Sequence, residues 1–291
     1  MPRVSTPPFL DLPPGVKPRE VATDRGSFAA LEAGAAGRRA GTAVLVPGFT
    51  GSKEDFIAVL EPLAGAGFRV LAYDQRGQYE TPGLAPPEGW TVDALGADLC
   101  AVAAALGDGP VHLVGHSFGG LVARAAVLRD PGAFASLTLM SSGPAAIGGR
   151  EGELAVRMAD ALEVLGLAPV WAIKQAMDLE AGHEPHQDPE VAAFVERRFL
   201  ANDPVGLAAM ARLLATEPDR TDELAEAPVR TLVVFGADDD AWSPEIQRET
   251  ASRLGARAVS FPEAAHSPAA ESPKSTAETL AAFWGETPDR V

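Results

Sequence analysis

Short apolar runs alternate along the chain with segments that repeat apolar residues at helical spacing. Segments 53–67 and 91–107, and the segment that follows Gly119, have the helical spacing. The apolar runs predict buried strands at GTAVLVPG (41–48), FRVLAYD (68–74), VHLVG (111–115) and ASLTLMSS (135–142). Strands and helices in this order predict an α/β fold, with a mostly parallel central sheet that is flanked by helices on both faces.

The alternation stops at residues 143–227, where no β-branched run occurs and segments such as PEVAAFVERRFLA have helical spacing. Strand signals resume with RTLVVFG (230–236), which a helix, a short strand and a last helix follow. We therefore expect a core domain made of residues 1–142 and 228–291, with an all-helical cap insertion at 143–227. The proline-rich residues 1–19 predict an extended N-terminal arm.

Composition and charge narrow the class of protein. The formal net charge is -16, from 40 acidic and 24 basic residues in 291. Such a surface repels phosphate backbones, so nucleic acid is not expected as a partner. The single cysteine, Cys100, excludes an internal disulfide. No apolar run reaches the roughly 18 residues of a membrane span, and the N-terminus lacks a secretory signal. We expect a cytoplasmic protein that is a monomer or a homodimer.

Residues 115–119 read GHSFG and match the motif G-x-S-x-G, which makes Ser117 the candidate nucleophile. The match alone is a weak signal in a chain with 29 glycines. Its context is more specific, because VHLV predicts a strand before it and GLVARAAVL predicts a helix after it. The motif places its serine on a strained turn between such elements. A glycine-rich turn with an incidental serine is the competing interpretation.

A serine nucleophile needs a base, and the chain has five histidines. His266 lies in FPEAAHSPAAESP, after the last short strand, and so at the carboxyl edge of the sheet where ligands bind. His112 lies within a predicted strand, and His116 is expected to direct its side chain away from the neighbouring serine. His183 and His186 lie in the cap. His266 is therefore the candidate base.

The acid that orients the base should stand between the serine and the histidine in chain order. The segment VVFGADDDAWSP supplies three candidates directly after a strand, namely Asp238, Asp239 and Asp240. The preceding strand ends in Ser-Ser-Gly and offers no carboxylate. The spacing leaves all three aspartates open at this point. The two that are not used are expected to cap the following helix or to face solvent.

Residues 26–285 resemble the α/β-hydrolase fold family, particularly its bacterial serine hydrolases with a helical cap. The segments that carry the resemblance occur in the family's order and are LVPGFTGSKEDF, YDQRGQYETPG, LVGHSFGGLVAR, VVFGADDDAWSP and EAAHSPAAESP. In the family the acid stands three residues after the glycine that ends its strand. Counted from Gly236, this implies Asp239, with Asp240 and then Asp238 as alternatives. Asp74 and Arg76 in YDQRG are expected to form a structural ion pair.

The resemblance also implies an oxyanion hole made of two backbone N–H groups. One belongs to Phe118, directly after the nucleophile, and the other to Phe49, in the loop after an early strand. Many members have a histidine where this sequence has Pro47, a departure that leaves the backbone donor in place. The implied chemistry is attack of Ser117 on an acyl carbonyl, with His266 as the base, and it needs no metal or organic cofactor.

Candidates for the substrate pocket are Trp171 and Met177 in the cap and Trp242 beside the acid turn, although most apolar cap residues are expected to pack on the sheet. His183 and His186 hint at a metal pair. A proline between them disrupts the helix that would place both on one face, and no further ligand spacing follows. We therefore expect no metal site.

The acidic surface and the apolar cap favour a small, uncharged, hydrophobic substrate. We expect a serine hydrolase that cleaves a carboxylic ester, a thioester or a lactone through a Ser-His-Asp triad. Carbon–carbon bond hydrolysis or acyl transfer on the same triad is the first alternative, and a non-catalytic ligand receptor is the second. Dehalogenases and epoxide hydrolases of the family carry an aspartate where this chain has Ser117, and this difference disfavours both activities.

Overall fold

The computed structural model describes residues 5–83, 89–182 and 186–286. Its strands are β1 (Val16–Thr23), β2 (Gly26–Ala33), β3 (Gly41–Val46), β4 (Phe68–Tyr73), β5 (Val111–His116), β6 (Phe134–Met140), β7 (Arg230–Gly236) and β8 (Arg257–Phe261). Within the described residues they form one sheet in the order β1-β2-β4-β3-β5-β6-β7-β8. Strand β2 is antiparallel to β1 and β4, and the neighbours from β4 to β8 are parallel.

Helices cover both faces of the sheet. They are α1 (Ile57–Gly65), α2 (Val92–Ala105), α3 (Phe118–Arg129), α4 (Gly149–Leu165), α5 (Leu167–Glu180), α6 (Pro189–Leu200), α7 (Pro204–Thr216), α8 (Thr221–Ala225), α9 (Pro244–Arg253), α10 (Pro268–Glu271) and α11 (Pro273–Gly285). Val44 packs in the cluster that contains residues of α2 and α3, whereas Leu45 packs in the cluster of α1 and α11. Burial on both faces makes the strands continuous apolar runs. The predicted α/β fold with a mostly parallel sheet is confirmed.

The segment between β6 and β7 contains α4 to α8 and, in its described residues, no strand. We call residues 143–227 the cap, as in the sequence analysis. Helix α4 packs against α7, and Met158, Leu162 and Leu207 belong to an apolar cluster inside the cap. The all-helical character agrees with the sequence pattern, and the division of the chain into two domains at these bounds stays a prediction. Across the part of the chain that the structure describes, no helix is both long and apolar enough to cross a membrane.

The N-terminal arm is shorter than predicted. Strand β1 begins at Val16, within the predicted arm of residues 1–19, and forms a hairpin with β2. The prediction was wrong here because β1 is an edge strand with only two buried residues, Val16 and Val21. Pro18 also argued against a strand, although an edge strand tolerates proline. Residues 5–15 precede the first strand as the arm of the structure.

Candidate active site

Ser117 occupies a strained turn between β5 and α3. Its backbone dihedrals are φ 54° and ψ -123°, in a region that residues with a side chain rarely adopt. The N–H of Ser117 donates to the carbonyl of Met140 at 2.9 Å, which fixes the turn against β6. A Cβ atom at Gly119 would lie 2.5 Å from the carbonyl oxygens of Val46 and Pro47. Only glycine fits there, so the motif glycine lets α3 approach the end of β3.

The structure brings the three predicted catalytic side chains together. The Ser117 Oγ lies 3.0 Å from Nε2 of His266, and Nδ1 of His266 lies 2.9 Å from Oδ1 of Asp239. All three residues are buried, with exposed fractions of 4 to 7%. Each ring nitrogen of the histidine therefore faces one partner, in the order that a base and its orienting acid require.

Among the three aspartates after β7, Asp239 is the one that is hydrogen-bonded to His266, and Asp238 and Asp240 are exposed. The second oxygen of Asp239 accepts a 2.7 Å hydrogen bond from Nε2 of Gln247, and its first oxygen also accepts from the N–H of Ala241. Sequence reasoning missed Gln247, because its place follows from how α9 packs. The glutamine holds the carboxylate in the plane where it can meet the imidazole.

Charge and burial act in opposite directions on this pair. Burial favours the neutral imidazole of His266, but the hydrogen bond and charge of Asp239 outweigh it, so its pKa lies above the ordinary 6.5. Burial likewise raises the pKa of Asp239. The hydrogen bond and the charge of His266 more than offset this effect, so the pKa of Asp239 lies below the ordinary 3.8. The carboxylate is therefore ionised at neutral pH and stabilises a positive charge on the ring.

His116, whose side chain was expected to point away from Ser117, lies beside the site. Its Nε2 is 2.7 Å from the carbonyl oxygen of His266, and the two rings are 5.0 Å apart. Burial, assisted by the charge of His266, lowers the pKa of His116 to about 3. The ring is therefore neutral, and Nε2 donates its hydrogen to the carbonyl. His116 thus fixes the loop that carries the candidate base.

Both predicted oxyanion donors lie next to the nucleophile. Phe118 is the first residue of α3, so its N–H has no carbonyl partner within the helix. The loop after β3 packs on the serine, since a Cβ at Gly48 would lie 2.9 Å from Cβ of Ser117. Because a trans peptide directs its N–H opposite to its C=O, the orientation of the Gly48 carbonyl fixes that of the Phe49 N–H.

Two buried glutamines hold this loop and were missed in the sequence. Nε2 of Gln75 donates to the carbonyl of Pro47 at 2.8 Å, and Nε2 of Gln78 donates to the carbonyl of Gly48 at 2.8 Å. Both side chains are at most 1% exposed. The Gly48 carbonyl accepts from Gln78 and, at 3.1 Å, from the N–H of Gly51, and these bonds direct the N–H of Phe49 to the opposite side of the peptide. The glutamines thus hold the carbonyls of Pro47 and Gly48 in place.

The expected ion pair between Asp74 and Arg76 does not form. Asp74 accepts from the N–H and the Nζ of Lys53, at 2.7 and 2.9 Å, and the Arg76 guanidinium pairs with Asp98. The two side chains are close in sequence but leave the end of β4 in different directions. Each finds a buried partner of opposite charge, because a buried charge without a partner costs several kcal/mol.

A cavity of about 60 Å³ is lined by Ser117 and His266. Trp242, a predicted pocket residue, lies in its wall on the core side. The cap side contributes Met158 from α4 and Lys174 from α5. The candidate nucleophile therefore faces a small space between the core and the cap.

The other two predicted pocket residues lie elsewhere. Met177 lines a larger groove of about 330 Å³, bordered by residues of α4 and α5. Trp171 lines neither cavity and packs against Phe199, with ring centroids 5.1 Å apart, inside the apolar cluster of the cap. Helical spacing marks both residues as apolar cap positions but does not distinguish an internal from a pocket-lining one.

The N-terminal arm also reaches the 60 Å³ cavity, where Ser5 is part of the wall. The carbonyl of Ser5 accepts a 2.6 Å hydrogen bond from Arg198 of α6. The same guanidinium is fully buried and pairs with Asp55, in the segment after β3, at 2.6 Å. Arg198 thus joins the arm, the cap and the core beside the site. Sequence reasoning missed this contact, which joins residues 193 positions apart.

Within the described ranges 5–83, 89–182 and 186–286, one group of side chains has the spacing of metal ligands. Atoms of Asp239, Asp240 and His266 lie within 4.8 Å of one another. Both ring nitrogens of His266 are already hydrogen-bonded, so a cation there would have to displace Ser117 or Asp239. Of the metal pair weighed in the sequence, His183 lies outside the described residues, and His186 is exposed.

Comparison with known proteins identifies the family. The model of the alpha/beta hydrolase family matches residues 43–279, and the chain therefore belongs to this family. The resemblance to this family that was inferred from the sequence is confirmed.

Two curated relatives and one solved structure illustrate the likeness. The "Putative carbamate hydrolase RutD" of Variovorax paradoxus is 38% identical over 103 residues, which cover 35% of this chain and 38% of that protein. The lipase LipV of Mycobacterium tuberculosis is 37% identical over 105 residues, or 36% of this chain and 39% of that protein. The matches thus span less than two fifths of these relatives. A thermophilic esterase from Thermogutta terrifontis is 26% identical, with a TM-score of 0.72 over 92% of this chain and 97% of that one.

Proposed function

We propose that this chain is a serine hydrolase that cleaves a small carboxylic ester, thioester or lactone through an acyl-enzyme intermediate. The observation that carries the proposal is the continuous series of hydrogen bonds from Ser117 through His266 to Asp239. The Ser117 end of this series lies in the wall of the 60 Å³ cavity. The strained turn at Ser117 supports it as well, because strain of this kind persists mainly at functional sites.

In the proposed first half-reaction, Ser117 Oγ attacks the acyl carbon while its proton passes to Nε2 of His266. The carbonyl becomes an oxyanion, and the N–H groups of Phe49 and Phe118 donate to it. Asp239 stabilises the imidazolium and does not take the proton. The imidazolium then protonates the leaving oxygen or sulfur, the bond to the acyl carbon breaks, and the acyl group stays on the serine.

The second half-reaction repeats the first with water as the nucleophile. His266 takes a proton from the water as the water attacks the acyl-serine. When the tetrahedral intermediate collapses, the imidazolium of His266 gives that proton to Oγ of Ser117, and the carboxylic acid leaves. His116 and Gln247 act as positioning residues, since each contacts His266 or Asp239 rather than the reacting atoms.

The proposed bond type agrees with the names of the relatives, which include a lipase and an esterase. The carbamate hydrolase name favours a second candidate, since a carbamate presents a similar carbonyl to the same triad. Carbon–carbon hydrolysis, acyl transfer and non-catalytic ligand capture remain the alternatives. The cytoplasmic location and the monomeric or homodimeric state stay predictions.

Turnover of p-nitrophenyl esters of graded acyl length, with a phenyl carbamate in the same series, tests the proposal. Ser117→Ala should reduce kcat by at least about 10⁴-fold, because it removes the nucleophile. Ser260→Ala, which changes an exposed serine of β8, is the matched control and should keep full activity. A fluorophosphonate should label the chain once, at Ser117. Residual activity of Ser117→Ala above about a tenth of the unmodified protein would exclude this nucleophile.

A further inference from the structure

The groove between α4 and α5 lies beside the catalytic cavity, and two residues, Met158 and Lys174, line both. At about 330 Å³ it is more than five times larger than the 60 Å³ cavity. Sites for small molecules occupy roughly 300 to 1,000 Å³, and a protein cavity that binds benzene measures roughly 150 Å³. The catalytic cavity therefore holds little more than the reacting group. A substrate of ordinary size has to extend further, and the groove provides the adjoining space.

The groove combines an apolar floor with a positive rim. The apolar part includes Leu154, Val170 and Ile173, which suits a hydrocarbon chain. The charged residues that line it are three cations, Arg150, Arg157 and Lys174, against one carboxylate, Asp178. This local excess of positive charge lies on a chain whose formal net charge is -16. The charge at the groove therefore does not follow from the overall composition.

Lys174 is the buried member of this set, with 6% of its surface exposed. Its Nζ carries three donors, and the Asp178 carboxylate accepts from it across one helical turn. Arg157 is exposed, and its guanidinium lies 3.8 Å from the Glu153 carboxylate. An ion pair in solvent contributes little to stability, so this pair holds the guanidinium only weakly. A buried ammonium gains from each further acceptor, because its N–H groups are cut off from water. A carboxylate in the groove would be such an acceptor.

The acidic residue of the neighbouring cavity sets the direction of binding. Glu151 lines the catalytic cavity and not the groove. An anionic group would be repelled from the side of Glu151 and attracted to the side of Arg150 and Arg157. The anionic end of a substrate would therefore lie on the groove side of the reacting carbonyl, within reach of Lys174, which lines both spaces.

We propose that the groove between α4 and α5 binds the carboxylate-ended acyl chain of the substrate, with Lys174 as the residue that selects it. The substrate class is then a monoester or thioester of a linear dicarboxylic acid. This inference rests on the proposed function, and it replaces the expectation of an uncharged substrate. That expectation followed from the net charge of the whole chain, whereas recognition depends on the charges at the groove.

The test compares two p-nitrophenyl esters of equal length, the mono-p-nitrophenyl ester of adipic or suberic acid and the same compound with its free carboxylate capped as a methyl ester. We expect the free carboxylate to be preferred about tenfold in kcat/KM, as one charge-assisted hydrogen bond provides. Lys174→Met should bring this ratio close to one, and Lys174→Arg should preserve much of it. Arg212→Met removes a partly exposed cation of α7 outside the groove and should leave the ratio unchanged.

Equal kcat/KM for the two esters in the unmodified protein would overturn the groove proposal while leaving the hydrolase intact. A preference that persists in Lys174→Met and in the double variant Arg150→Met with Arg157→Met would overturn it as well. No turnover of either ester, or of the graded series of simple esters, would instead refute the proposed function. Rising salt should reduce the ratio, because the two arginines at the rim are exposed.

Discussion

The core side and the cap side of the candidate site are built differently. On the core side, polar side chains are buried and hydrogen-bonded, as Gln78, Asp239 and His266 are. On the cap side, the groove is lined largely by apolar side chains that are partly open to solvent, with Ile173 48% and Met177 37% exposed. Hydrogen bonds fix a geometry to fractions of an ångström, whereas apolar contacts tolerate changes of shape.

This difference separates two tasks. The reaction needs a serine, a base and an acid at fixed positions, and the strands of the sheet provide the rigid support. Selection of the substrate needs only a space of suitable size and charge, and helices with few polar contacts provide it. Substitutions on the core side should therefore change kcat, and substitutions in the cap should change the preference among substrates.

After the loss of the nucleophile itself, the largest expected effect is at the acid. Asp239→Asn should lower kcat by about 10³ to 10⁴-fold, because an amide cannot stabilise the imidazolium and favours the wrong tautomer of His266. Steady-state kinetics on a p-nitrophenyl ester measures the loss. Asp238→Asn and Asp240→Asn are matched controls in the same turn and should stay within about tenfold, since both are exposed. An equal loss in Asp240→Asn would mean that the exposed aspartate is the working acid.

A smaller effect is expected at the loop that carries Phe49. Gln78→Leu removes the donor to the Gly48 carbonyl and should lower kcat by about 10 to 100-fold, because the N–H of Phe49 is no longer directed at the oxyanion. KM should change little if the loop acts mainly in the transition state. Gln187→Leu, at an exposed cap position, is the control. If KM rises while kcat is preserved, the glutamine serves substrate binding instead.

Much of the core side followed from the sequence. The run RTLVVFG coincides with β7, since a strand buried on both faces is a continuous apolar run. The G-x-S-x-G context and the chain order indicated Ser117, His266 and a run of three aspartates, and the family resemblance singled out Asp239, which the structure places against the histidine. These signals are local, because each residue lies in a loop that follows a strand whose end is visible in the sequence.

What could not be predicted depends on contacts between distant segments. Gln75 and Gln78 look like ordinary turn residues until the loop after β3 lies above them. In the hairpin of β1 and β2, β1 has only two buried residues, and the buried residues of β2 include a consecutive run at its end, so neither strand shows a clear alternation. The separation of Trp171 from Met177 depends on how α5 is rotated against its neighbours, which helical spacing alone does not give.

The smallest expected effect concerns the pH dependence of activity. It tests whether core-side groups alone determine the acid limb of the pH profile, that is, the fall of activity at low pH. The pKa of His266 lies above 6.5, and only the neutral ring can accept the proton of Ser117. Activity should therefore be full above that pKa and fall about tenfold per pH unit below it. A kcat/KM profile in overlapping buffers measures this. His116, with a pKa of about 3, should not contribute to this limb.

Two variants sharpen the test. The charge of Asp240 contributes to the raised pKa of His266, so Asp240→Asn should move the acid limb to lower pH. Met177→Ala, in the groove of the cap, should leave its position unchanged, because no charge near the imidazole is altered. An acid limb that is centred below 6.5 in the unmodified protein would show that Asp239 does not stabilise the imidazolium as the geometry requires. A limb that moves in Met177→Ala would show that the cap takes part in setting the protonation of the base, and the division between the two sides would be wrong.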